Sequence, residues 1–195
     1  MALQATTGVI TSPFRGTRVR DAGLVITGAL FIALSAQVAI PLPFTPVPLT
    51  GQTLAVLLTG AALGSTLGLA STGLYLALAL FGFPVLAATS TGGHLTGIAV
   101  LSSPTLGYVV GFMLSSLVVG ALANRGLSQT PLGVVLAMVA GNLAIYAAGL
   151  LWLHHAINVS WSQTVALGLT PFLIGDAIKI AIAAGLLPAA WRFVR

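Results

Sequence analysis

Apolar residues run along this chain in long blocks separated by clusters of Pro, Gly and small polar residues. Residues 1 to 20 are polar, basic and rich in Gly and Thr, without apolar periodicity, and read as a flexible arm. The first block covers about 22 to 40 and stops at Pro41, Pro43, Pro46 and Pro48, an extended loop with few backbone donors. A second block covers about 51 to 69 and a third about 71 to 87, divided in the Gly64 to Gly73 region. The fourth, about 104 to 123, has Ser103 as its N-cap and Pro104 at the first helical position. The fifth is about 131 to 153, and the sixth, about 170 to 190, repeats the cap-then-proline signature with Thr170 and Pro171. Each block is close to the roughly 20 residues a helix needs to cross a hydrocarbon core about 30 Å thick. The pattern therefore predicts an all-α membrane protein of six transmembrane helices, one domain over 21 to 195 behind the arm. Between the third and fourth blocks, residues 87 to 103 are too polar to face lipid and too apolar for a water-exposed linker. A re-entrant or pocket-capping loop fits, since irregular backbone survives at membrane depth only against protein or a cavity.

Composition removes the soluble alternatives. Charged residues are 5% of the chain, against about 25% in a soluble domain, and the apolar set reaches 57%. Two acids and seven bases cannot cover a water-soluble fold of 195 residues. A net charge of +5 would suit a nucleic-acid binder if the bases formed a patch. They are instead spread over Arg15, Arg18, Arg20, Arg125, Lys179, Arg192 and Arg195. With six spans, all but Lys179 fall on one face, which the positive-inside rule makes cytoplasmic. The predicted place is the plasma membrane with both termini cytoplasmic, and the outer loops 41 to 50, 88 to 103 and 154 to 164 carry no Lys, Arg, Asp or Glu. The basic arm followed by an apolar block has the order of a signal peptide. That block is too long for an h-region and lacks an A-x-A site, so it stays the first span. Cysteine is absent, which excludes disulfides and thiolate chemistry.

Inside the spans the ionisable side chains, histidines apart, are Asp176 and Lys179, three residues apart on one helix face. Counted from Thr170 at about 1.5 Å per residue, they lie roughly 9 and 13 Å from the outer helix end. Each such group costs about 2.5 to 3.5 kcal/mol on insertion scales, so the pair must face the interior, as a ligand site or as a structural ion pair. Gln52, Tyr108, Asn142 and Tyr146 are further polar candidates, the last two one turn apart on the fifth span. Spans 2, 4 and 6 would aim their N-termini outward, and three positive dipole ends around one pocket favour a small anion. His94, His154 and His155 lack carboxylate or thiolate company, so no metal centre is expected. Small-residue ladders at Gly60, Gly64 and Gly68, and at Ala29 and Ala33, allow close helix approach, within the bundle or against another membrane protein. No G-x-x-x-x-G-K-[ST], H-E-x-x-H or G-x-S-x-G is present, so neither energy coupling nor hydrolysis is expected of the chain itself, and no cofactor is implied.

Over residues 22 to 191 the chain resembles the BioY family, the substrate-binding S components of energy-coupling factor (ECF) biotin transporters. The motifs that carry the likeness are P-V-P-L-T-G-Q-T-L at 46 to 54, L-L-T-G-A-A-L-G at 57 to 64 and G-F-P-V at 82 to 85. They continue with S-P-T-L-G-Y at 103 to 108, G-N-L-A-I-Y-A-A-G-L-L-W-L at 141 to 153 and G-D-A-I-K at 175 to 179. The resemblance implies the ECF S-component fold, an outward biotin pocket closed by loops 1–2 and 3–4, and a partner set of a membrane-embedded T component with cytoplasmic ABC ATPases. It implies that Asp176 accepts from the ureido N–H groups of biotin while Lys179 donates to a biotin oxygen. It also implies partner docking on the first helix through Ala29 and Ala33. Where relatives present an Asn near a Gly-Gly pair this chain reads T-S-T-G-G-H, which puts Thr91 in the ligand's place, and Ser103 replaces the usual Gly before Pro-Thr. The competing reading is a self-sufficient proton-coupled carrier of a small anion, with Asp176 as its proton site.

Overall fold

The computed structural model describes residues 17–89 and 92–194. The helices are α1 (Arg18–Gln37), α2 (Gln52–Leu80), α3 (Leu106–Asn124), α4 (Pro131–Ile157), α5 (Trp161–Gly168) and α6 (Leu173–Val194). Between α1 and α2 the proline loop closes on a two-stranded antiparallel hairpin, β1 (Ala39–Ile40) with β2 (Leu49–Thr50), pairing Ala39 with Thr50. The all-α class stands, and α1, α2, α3, α4 and the stretch Trp161–Trp191 are each long and apolar enough to cross a membrane.

The expected division between the second and third blocks falls inside α2, at a single residue. Gly64 has φ 80° and ψ 179°, a conformation open in practice to glycine alone. The chain folds back there without a loop. A Cβ placed on Gly68 would sit 3.1 Å from Gly60 Cα, whereas eight residues of straight helix span about 12 Å. Gln52 likewise donates its side-chain amide to the Tyr75 hydroxyl, 23 residues on. The two arms, 52–63 and 65–80, are therefore antiparallel neighbours, and the bundle has six helical columns. Gly60, Gly64 and Gly68 do not form one ladder. Gly64 makes the turn, and Gly60 and Gly68 face each other across it, with Ser116 of α3 packed against both.

Side chains are sorted in the reverse of a soluble protein. On α4, Leu132, Leu136, Val139 and Leu143 form an exposed stripe while Gly133, Ala137, Gly141 and Gly149 are buried. On α6, Ile174, Ile178, Ile182 and Leu186 face outward in the same way. Small residues inside let backbones approach, and large apolar residues outside suit lipid. A buried cluster around Leu57, Val119, Met138 and Leu187 fills the half of the bundle nearer the Gly64 turn. A second, around Tyr75, Tyr108, Phe112 and Ile145, fills the other half.

Several boundaries differ from the sequence reading. Helix α1 opens at Arg18, where the Thr17 hydroxyl accepts from the Arg20 N–H at 3.3 Å, so Arg18 and Arg20 belong to the helix. The rest of the expected arm, 1–16, lies outside the described residues. Helix α3 begins at Leu106 with Thr105 as its N-cap, while Ser103 bonds Thr105 through its side chain and Pro104 sits in the approach turn. Helix α4 extends to Ile157 and ends on Asn158 in the left-handed region. The stretch read as an outer loop, 154 to 164, is instead the end of α4 and the first half of α5, which is opened by a reciprocal capping box between Ser160 and Gln163. The expected docking residues are a correction. Ala29 is 1% exposed and Ala33 7%, both in the core with Ile32 and Ala36 against α2, so neither offers a free surface to a partner. Their small size serves helix contact within the bundle. The outward face of α1 is instead formed by Ile26, Leu30, Phe31 and Leu34.

Candidate ligand-binding site

A cavity of about 220 Å³ opens at the end of the bundle away from the Gly64 turn. A water needs only about 10–15 Å³ of such space, so this one has room for a small organic molecule. Its floor and walls come from Tyr108, Val109 and Phe112 of α3 and Asn142, Ile145 and Tyr146 of α4. Its rim comes from the proline loop at 46–50, the 86–105 connection and Phe172. The first turns of α2, α3 and α6 all meet the cavity, contributing Gln52 and Thr53, Thr105 and Tyr108, and Asp176. The positive ends of three helix dipoles thus converge on it.

Asp176 and Lys179 are the charged side chains on its wall among the described residues. Asp176 lies in the first turn of α6, one turn nearer the helix end than counting from Thr170 implied, because Thr170–Phe172 is a separate 3₁₀ turn. From Leu173 the two residues are roughly 4.5 and 9 Å in. Covering structure buries them, more than depth along the helix does: Asp176 is 5% exposed. Its Oδ1 faces Lys179 Nζ at 3.4 Å, and its Oδ2 accepts from the Tyr146 hydroxyl. Lys179 Nζ also donates to Thr53 Oγ1 at 2.8 Å, so one ammonium links α6 to the first turn of α2. Asn142 is 7% exposed and its Oδ1 is a buried acceptor with no partner. A buried polar atom without a partner costs about 1–3 kcal/mol, and in a cavity wall it marks where a donor from a ligand would be accepted.

The remaining polar groups build the walls. The Tyr108 hydroxyl donates to Gly168 O at 2.8 Å, which ties α3 to the end of α5. The ring has room because Gly149 faces it, where a Cβ would fall 2.5 Å from the ring. Thr45 Oγ1 donates to Leu167 O at 2.8 Å, holding the proline loop to α5. The described parts of the 86–105 connection, 86–89 and 92–105, cap the cavity through Leu86–Thr89, Leu95 and Ser103–Thr105, with an Ala88–His94 bridge, His94 Nδ1 2.6 Å from Leu86 O, and Trp152 Nε1 donating to Ser103 O at 2.8 Å. Six of the seven residues read as ligand contacts, Gln52, Tyr108, Asn142, Tyr146, Asp176 and Lys179, line this one cavity. The seventh, Thr91, lies outside the described residues.

The chain matches the BioY family over residues 5–195. This chain belongs to the BioY family. It is 38% identical over 168 residues to the biotin transporter BioY2 of Lactococcus lactis, covering 85% of this chain and 86% of that one. It is 34% identical over 171 residues to the biotin transporter BioY of Rhizobium etli, covering 83% and 88%. Among solved structures, it superposes with a TM-score of 0.79 on the crystal structure of the S-component for biotin from an ECF-type ABC transporter. That match spans 91% of this chain and 95% of the other at 25% identity. The fold is therefore the S-component fold of the BioY family.

Two residues of this BioY site escaped the sequence reading. Thr53 bonds Lys179 across 126 positions, and Tyr75, fully buried, holds Gln52. No periodicity or spacing signals either contact. Helix α5 did carry a signal, the S-W-S-Q run at 160–163 ahead of an apolar turn.

Proposed function

We propose that this BioY-family protein binds biotin in the cavity and acts as the substrate-specific S component of an ECF-type uptake transporter. The observation that carries the reading is the polar set on one wall: a carboxylate, an ammonium and an unpartnered amide oxygen above an apolar floor. Biotin has complementary groups. Its two ureido N–H groups would be accepted by Asp176 and Asn142 Oδ1, its ureido oxygen would accept from Lys179, and its sulfur ring would lie against Phe112 and Ile145. The valerate carboxylate would be left for the N-terminal ends of α2 and α3 under the loops. Nothing in this set assembles a nucleophile with a base and an orienting group, so the function is binding and delivery rather than catalysis.

The orientation that follows places both termini in the cytoplasm and the cavity outside, because Arg15, Arg18, Arg20, Arg125, Arg192 and Arg195 then share the inner face. Reporter fusions at the C-terminus test it, and an external C-terminus would overturn it. Energy must come from a membrane-embedded T component and cytoplasmic ABC ATPases, since the chain carries no phosphate-binding loop. Isothermal titration of the detergent-purified protein with biotin is the test of substrate, with saturable one-to-one binding expected and no heat with biotin sinking the proposal. Proteoliposomes holding this chain alone should not accumulate biotin under a proton gradient. Accumulation would instead make it a self-sufficient carrier with Asp176 as the proton site.

A further inference from the structure

The segment that caps the cavity has two apolar sides. Its 3₁₀ turn, Gly97–Ser102, buries Val100 completely in the core. In a 3₁₀ helix residues i and i+3 eclipse, so Ile98 and Leu101 share the opposite side, and they are 86% and 51% exposed. At the end of α2 that leads into the same segment, Phe81 is 82% exposed and Phe83 54%. No Asp, Glu, Lys or Arg occurs between Val38 and Asn124 to hold this region in water. The turn packs against α2 and α3, and those helices carry exposed apolar residues of their own at Leu80, Val110 and Leu114, as a lipid-facing span does.

We infer that the outward side of the cavity's cap, Ile98 and Leu101, is seated in the outer leaflet of the bilayer. The partner is a lipid surface, recognised by apolar area without charge. The cap is then held from two sides, by Val100 in the protein core and by Ile98 and Leu101 in lipid. Uncovering the cavity would draw apolar side chains out of the bilayer as well as out of the core. The inference deepens the proposed function by giving the cap a second anchor, yet it depends only on the chain spanning a membrane and not on what the cavity holds.

The absence of native cysteine makes the test direct. Ile98→Cys and Leu101→Cys, each carrying a nitroxide label, are reconstituted in lipid nanodiscs. Collision with oxygen, which concentrates in lipid, is compared with collision with a water-soluble nickel chelate. Leu143→Cys on the exposed stripe of α4 gives the lipid reference, and Arg125→Cys the aqueous one. Labels at 98 and 101 are expected to shift toward the Leu143 value, with oxygen favoured over nickel. A ratio like that at 125 would overturn the inference. So would protection from both reagents, the mark of a face covered by protein. Biotin titration of the same labelled proteins reports separately on the substrate, so loss of either result is told from loss of the other.

Discussion

Asp176→Asn is the sharpest perturbation of the site because it changes charge while keeping shape. In the structure the carboxylate has Lys179 Nζ 3.4 Å from one oxygen and the Tyr146 hydroxyl on the other. At that separation and an effective dielectric of about 20 the ion pair is a gross attraction of roughly 5 kcal/mol. Thr53 Oγ1, 2.8 Å from Lys179 Nζ in the structure, is neutral and cannot replace the lost counter-charge, so the ammonium is stranded. Two effects follow, read by different assays. The ligand exchanges a charged acceptor for a neutral one, worth about 1.5–3 kcal/mol, so the Kd for biotin measured by titration should rise about tenfold to a hundredfold. Thermal stability in detergent should fall as well, because breaking one side of a buried pair leaves the other uncompensated. Adding Lys179→Met to Asp176→Asn should recover part of the stability, since no ammonium is then stranded, without recovering affinity. If Asp176→Asn stays folded and binds biotin with the wild-type Kd and enthalpy, the site assignment is wrong.

Thr53→Val removes the second partner of Lys179 without altering charge, and should weaken biotin binding by about 1 kcal/mol, roughly fivefold, with the bundle intact by size-exclusion chromatography. Unchanged affinity would reduce that hydrogen bond to a helix contact. Gly64→Ala places a Cβ where φ is 80°, at a cost of about 1–3 kcal/mol, and should lower the thermal midpoint of the purified protein with little change in residual affinity. Wild-type stability would mean that the two arms of α2 do not turn as described. Ala29→Trp drives a large ring into a position 1% exposed, so it should lose folded protein and biotin binding together. A folded variant that binds biotin but no longer supports ATP-driven uptake would return Ala29 to a docking surface.

Apolar block length, the near absence of charge and the lone Asp176/Lys179 pair determined the membrane class, the six-column count and the wall of the cavity, since lipid imposes those constraints residue by residue. Motifs in their order added the family. The tertiary structure alone decided where each column ends and which side of it is inward. Periodicity did not locate the α2 turn, because the Gly60, Gly64, Gly68 spacing serves a straight ladder and a folded-back hairpin equally well. The positive φ of Gly64, with Gly60 brought against Gly68 and Gln52 against Tyr75, separates them. The reading of Ala29 and Ala33 as a docking face failed for a related reason. A small residue permits close approach on whichever side it faces, and the facing is set by packing against α2. Thr53 and Tyr75 were invisible because their partners are 126 and 23 residues away, brought near by chain reversals that no local pattern encodes. The depth of Asp176 was overcounted because Thr170 and Pro171 signal a helix start equally for a 3₁₀ turn and for α6 itself. Asp176 is buried in the wall of a cavity shared with α4, whose Tyr146 bonds it, and that arrangement exists only once the chain is folded.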